Sequence, residues 1–220
     1  RTKQGDYKID ASRSGVYQKR SKAFPNNTEL EATVTYKGSK AGAHLRAVVP
    51  DASAVTVNLH HSLIKLPDDG YQTRKFHPYS GFWQNAYADY ASAIDEPLIT
   101  RNIPRHRLMK KNPQAKVSEA VEPIIYYLDA GVPEPVKSAL LDGARWWDQA
   151  FAAIGYKNAF QVKMLPSDAD PMDVRYNVIQ WVHRATRGWS YGASVIDPRT
   201  GEILKGHVTL GSLRVRQDYL

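Results

Sequence analysis

The sequence predicts an α+β protein, with an antiparallel β meander first and then a mixed, twisted sheet carrying a long packed helix. Three observations predict it. Apolar and polar residues alternate in short runs through residues 1 to about 70; an apolar stripe at helical spacing runs from Val136 to Ile154; and short apolar runs flank that stripe on both sides.

Within the meander, "ELEATVTYKG" sets Leu30, Ala32, Val34 and Tyr36 against Glu31, Thr33, Thr35 and Lys37, the period of a half-buried strand. "AHLRAVVP" and "AVTVNLHHSLIKLP" follow, with Val55, Val57 and Leu59 sharing one face. Glycine, proline and aspartate clusters separate these segments. From Tyr71 to Ser118 the periodicity weakens, and scattered aromatics (Phe76, Tyr79, Phe82, Trp83, Tyr87, Tyr90) give way to a basic run. An irregular connector packed by its aromatic residues is expected there. The expected domains are therefore residues 1–70, incomplete at the start; a connector, 71–118; and 119–220.

The last zone is the most regular. "EPIIYYLDAG" is a short apolar run closed by a turn, hence a strand. Past Pro133 and Pro135, the positions Val136, Leu140, Ala144, Trp147, Phe151 and Ile154 step by three and four residues along one helical face, and Gly155 supplies a C-terminal cap. "AFQVKMLP" and "VRYNVIQWV" read as two further strands. A strand, helix, strand succession implies parallel pairing through a crossover. "GWSYGASVI", the turn "DPRTG" and "HVTLG" read as a closing hairpin, because proline stands second and glycine last in the turn.

Composition bounds the function. With 42% hydrophobic residues among 220, the chain can build a real core. No apolar run approaches the roughly eighteen residues of a membrane span, and "RTKQGDYKID" lacks the pattern of a signal peptide, so either the protein is cytoplasmic or its leader has been removed. Cysteine is absent, which excludes disulfides, thiolate metal sites and a cysteine nucleophile. The net charge of +8 is concentrated between Glu96 and Glu119, where Arg101, Arg105, Arg107, Lys110, Lys111 and Lys116 meet no acidic residue. That run has no interleaved aromatics for base stacking, which disfavours nucleic acid; a connector lying on an acidic surface of the same protein is the plainer reading.

The segments "YYLDAGVPEPVKSALLDGARWWDQAFAAIGY", "DADPMDVRYNVIQWVHRATRGWSYG" and "DPRTGEILKGHVTLGSLRVRQDYL" resemble the bacterial zinc-dependent metallopeptidases of the metzincin-like group, a family of largely uncharacterised domains. "RSKAFPNNTELEATVTY", "HHSLIKLPDDGY" and "RHRLMKKNP" extend the resemblance over nearly the whole chain. It implies that residues 119–220 are the upper, N-terminal part of a catalytic domain, that the longer polypeptide is an exported hydrolase acting on peptide or protein, and that zinc is its cofactor. In that group an HExxH helix follows, placing two histidines one turn apart on the metal with a glutamate as base. Among His44, His60, His61, His77, His106, His183 and His207, none has another histidine four residues on. The expectation is a fragment ending before its catalytic helix, inactive alone, with no catalytic residue of its own and dependent on a downstream segment of the same polypeptide.

The resemblance also implies that "GWSYGASVI" is the edge strand that pairs with extended substrate. Small residues at Gly192, Ala193 and Ser194 would let a peptide backbone approach, and Trp189 and Tyr191 would wall a side-chain pocket. The alternative is that these residues simply build a curved hairpin on the helix. Two other readings of the chain stay open: a non-catalytic protein- or peptide-binding module on the same scaffold, and a binder of acidic polymer or nucleic acid through residues 101–116, whose affinity would fall steeply with salt. Weaker candidates are Asp168, Asp170 and Asp173 for calcium, and His183, Asp197 and His207 for a structural zinc. His60 and His61 alternate across a strand and make poor partners for one metal.

Overall fold

A computed structural model describes residues 5–184 and 189–219, with the backbone alone at Tyr219. The chain divides into two compact units, Arg1–Lys65 and Leu66–Leu220. The connector expected at 71–118 belongs to the second.

In the first unit the strands β1 (Asp6–Ile9), β2 (Gly15–Val16), β3 (Lys22–Ala23), β4 (Asn27–Ser39) and β5 (Ala54–Ile64) form one antiparallel sheet, with helix α1 (Ala43–Val48) between the last two. The predicted meander is present. β4 is its spine: β5 pairs with it from Asn27↔Ile64 to Lys37↔Ala54, while β1, β2 and β3 line its other side in three pieces.

The buried face of β4 is the polar one, which corrects the burial expected from its alternation. Asn27, Glu29, Glu31 and Thr35 are buried, whereas Leu30 is 45% exposed. The cause is the N-terminal segment, whose 3₁₀ turns at Ala11–Arg13 and Gln18–Arg20 supply partners on that face. Thr35 Oγ1 donates to the Arg13 carbonyl at 2.9 Å, and Arg20 Nε donates to Glu31 Oε2 at 2.7 Å. Polar groups leave water only where such partners replace it. The apolar face of the same sheet, carrying Val57, Leu59 and Leu63, is left exposed.

The second unit begins with a hairpin, β6 (Asn85–Ala88) and β7 (Ile99–Asn102), so the connector is not wholly irregular. Its aromatics do not pack it: Tyr79, Trp83 and Tyr90 are largely exposed. Then come β8 (Ser118–Glu119), β9 (Ile124–Leu128), helices α2 (Val136–Arg145) and α3 (Trp147–Ala153), β10 (Tyr156–Lys157), β11 (Phe160–Met164), β12 (Asn177–Val182), β13 (Tyr191–Ile196), β14 (Ile203–Gly211) and α4 (Leu213–Tyr219). β8 and β10 pair in parallel.

The main sheet has the order β11-β9-β12-β14-β13. Its first four strands are mutually parallel, as the strand, helix, strand pattern predicts, and β13 alone runs antiparallel, against β14. The predicted single helix is two helices in line. Trp146 N–H bonds back to Gly143 O and Trp146 O accepts from Gln149 N–H, three-residue spacings that tighten the turn at Trp146. Gly155, at φ +84°, ends α3 as expected, and a side chain there would strike the Lys116 carbonyl at 2.4 Å.

Leu128, Val132, Val162 and Ile179 form the core between sheet and helix, with Val136, Leu140 and Ala144 packed against them. Ile154, expected on the same stripe, is exposed because it caps the helix end.

Candidate functional site

β13 lies at one end of the sheet, with β14 on one side and, among the described residues, no strand on the other. Its register runs Tyr191↔Thr209, Gly192↔Val208, Ala193↔His207, Ser194↔Gly206 and Val195↔Lys205, then shifts between Val195 and Ile196. Directly opposed residues share a face, so Gly192 and Ser194 lie on the side of Gly206 and Val208, toward the helices. Tyr191, Ala193 and Val195 lie on the side of Lys205, His207 and Thr209. Tyr191 through Ser194 are all exposed. The strand therefore offers an open backbone edge, with the small residues Gly192 and Ser194 on its helix-side face.

Trp189 is 71% exposed. Arg184, which the sequence did not single out, ties the two aromatic residues together: its Nη1 donates to the Trp189 carbonyl at 3.0 Å, and its guanidinium lies 5.6 Å from the centre of the Tyr191 ring. Gly188, at the start of the predicted substrate segment, lies outside the described residues.

The helix-side face is fixed from beneath by groups with little sequence signal. Asn177 bridges strands, its Nδ2 donating to Ile125 O at 2.8 Å and its Oδ1 accepting the Gly206 N–H at 2.7 Å. Gly206 is glycine because of Tyr126: a Cβ there would sit 2.0 Å from the phenolic oxygen. His106 Nε2 lies 3.4 Å from that oxygen, the two rings meeting edge to face. Burial pushes the His106 pKa down to about 4 and raises that of Tyr126, so both are neutral near pH 7. Together they form the one polar corner of a mainly apolar cavity of about 520 Å³ between sheet and helices, walled also by Leu140, Trp147, Phe160 and Leu210. A glycine inside the strand pattern of "KGHVTLG" is the visible signal of this close approach. Nothing in "RHR" marks His106 as buried.

The weaker metal candidates are engaged elsewhere. Asp197 is fully buried in the hairpin turn, where its carboxylate accepts from Arg199 N–H at 2.9 Å and Arg199 Nη2 at 2.8 Å. His183 Nδ1 lies 2.9 Å from Ser212 Oγ. His207 is half-buried on β14, and burial, then the nearby Lys205, lower its pKa.

In "SDADPMD", Asp170 Oδ1 accepts the Met172 N–H at 2.8 Å, and Asp173 is held by Arg175 at 2.6 Å. Lys205 Nζ donates to the Pro171 and Asp173 carbonyls. Among the described residues no cluster of three or more His, Asp or Glu is placed to hold a metal ion.

Two residues of the basic run, Arg107 and Lys111, have acidic partners within their own unit. Arg107 grips Glu202 through two bonds of 2.8 Å and Asp68 through a third, and Lys111 lies 3.5 Å from Glu119. Arg105 stacks on Tyr71, and Lys110 donates to the carbonyls of Ala115 and Lys116. No helix among the described residues is long and apolar enough to cross a membrane.

The family described as Domain of unknown function (DUF5117) matches residues 1–111. The chain belongs to this family. The match spans the first unit and most of the connector, with its hairpin and the basic run as far as Lys111, and it ends before β13 and the core of the main sheet. No curated protein and no solved structure matches the chain.

Proposed function

We propose that this member of the family is part of an exported zinc-dependent endopeptidase, and that it contributes the strand along which an extended peptide is held for cleavage. The observation that carries this reading is the placement of Tyr191–Ile196. It is the lone antiparallel strand of the main sheet, at an end, exposed, and built of small residues beside two exposed aromatic ones. Strand addition at such an edge draws affinity from backbone N–H and C=O groups and selectivity from alternate side chains.

The 220 residues do not themselves fit the zinc site of such an enzyme. They carry no histidine pair four residues apart, and among the described residues no group of three or more histidines and carboxylates is placed to hold a metal ion. Under this proposal the metal ligands and the general base come from outside residues 1–220. This chain's own part is to hold and orient the peptide. Tyr191 and Trp189 bracket one side chain of the substrate on one face, while Gly192 and Ser194 leave room for its neighbour on the other.

The test is binding rather than turnover. Extended peptides should slow amide exchange across residues 191–196, and N-methylation of alternate peptide amides should abolish binding in one phase and spare it in the other, because every second amide faces the edge. Binding that tolerates methylation in both phases, or leaves β13 exchange unchanged, overturns the reading.

A further inference from the structure

The sheet of the first unit has one blunted side and one bare side. On the side of β1, β2 and β3 the edge is broken into strands of four, two and two residues and carries Lys8 and Lys22. Short, charged edge pieces of this kind discourage pairing with another chain. On the other side β5 runs for eleven residues, "AVTVNLHHSLI", without Asp, Glu, Lys, Arg or Pro and without a register shift against β4. Among the described residues nothing pairs with its outer edge. The strand is also exposed where it is apolar: Val57 is 36%, Leu59 38% and Leu63 60% accessible. An unprotected edge of this length presents a continuous row of backbone donors and acceptors.

From this we infer that β5 is a self-association edge, pairing antiparallel with β5 of a second copy about a two-fold axis at Leu59. The sequence of the strand fits itself in that register. Leu59 meets Leu59, Val55 meets Leu63 and Val57 meets His61 on the apolar face; Thr56 meets Ser62 and Asn58 meets His60 on the polar face. The register keeps each face of one strand against the same face of the other, because it preserves the two-residue period, and Val57 against His61 is the one mixed pair on the apolar face. His60 and His61 are the groups on this strand that carry charge when protonated, and in this register they face Asn58 and Val57 rather than a like charge.

The partner is a second copy because this self-complementarity is what an isologous two-fold contact requires. The open edge at β13 lacks these properties: it is six residues long and shifts register at Val195/Ile196. The inference is independent of the peptidase reading, since it concerns a different sheet and a different edge.

The experiment is sedimentation velocity on the 220-residue chain over a concentration series, with Leu59→Lys, Leu59→Glu and their equimolar mixture. Leu59 is partly exposed and faces the small Ala32 on β4, so either charged side chain has room in the monomer, which circular dichroism checks. The wild-type chain is expected to dimerise. Each variant should weaken the dimer at least about tenfold by placing like charges opposite one another, and mixing the two should restore it. A wild-type chain monomeric up to its solubility limit overturns the inference. So does a dimer that both variants leave intact, or a monomer whose 54–64 amides are already protected from exchange, since that edge would then be paired within its own chain.

Discussion

The two sheets of this protein solve burial in opposite ways. In the main sheet of the second unit, Leu128, Val162 and Ile179 turn inward against α2, and the protected interior is hydrocarbon. In the first unit the protected side of β4 holds Glu29, Glu31, Asn27 and Thr35, and the hydrocarbon faces out. His60 stands across from the two glutamates with Nε2 2.7 Å from Glu29 Oε2 and Nδ1 2.9 Å from Glu31 Oε2. Both ring nitrogens can donate only when the imidazole is protonated. One sheet therefore rests mainly on apolar packing, and the other on a charge network that titrates. Removing atoms should break the first, and changing pH should loosen the second.

The largest effect is expected from Leu128→Ala, which empties a site that is 1% exposed at the centre of the second unit's core. The loss should be about 3 kcal/mol by denaturant titration, from lost burial plus the cavity left behind. The same substitution should leave amide exchange in β4 and β5 unchanged. A matching loss there would mean that the two units share one cooperative core.

Gly206→Ala should cost less, about 1–3 kcal/mol, because the new methyl forces the Tyr126 ring away from β14. Pairing it with Tyr126→Phe, which removes the closest atom in that clash, should make the combined loss smaller than the sum of the two. Strict additivity in the double-mutant cycle would show that the ring does not set the glycine. Because Gly206 opposes Ser194, the same variant should also disturb the register of β13.

The smallest effect sharpens the contrast through pH. Hydrogen bonds to Glu29 and then Glu31 raise the His60 pKa above its ordinary value. Its stabilisation is thus complete below the unfolded value of about 6.5 and is lost as pH rises through the folded one. For Glu29, burial opposes ionisation, but bonds from Ser62, Asn27 and His60 outweigh it and hold the pKa below the ordinary range; that contribution is lost instead as pH falls. Exchange in β4 and β5 should therefore quicken between about pH 6 and pH 9, beyond the intrinsic rise, in the wild-type chain and not in His60→Gln. Equal slopes in the two proteins would remove His60 from the network. β9 and β12 should show no such pH term in either.

Legibility followed the range of the forces. The parallel strands, the helix over 136–153 with its glycine stop, and the β13–β14 hairpin were readable because each is written in spacing and turn residues. The small residues at 192–194 were readable as a stretch whose side chains leave room, while their place on an edge strand came from the resemblance. Arg184, Asn177, His106 and Tyr126 were not, because their roles depend on partners that only the fold brings near. The aromatics of the connector misled for the converse reason: large apolar side chains suggest packing, but nothing local supplies them a partner.

The sequence by itself determined the α+β alternation, the absence of thiol chemistry and the lack of a histidine pair one helical turn apart, since periodicity, composition and spacing are properties of the chain alone. Only the tertiary structure decided which face of β4 is buried, that the basic run answers to Glu202 and Asp68, and that β13 and β5 are left open. An alternating strand reads the same whichever side is covered; the choice is made by what else in the molecule reaches it, here the turns that set Arg20 on Glu31 and hold Thr35 against the Arg13 carbonyl.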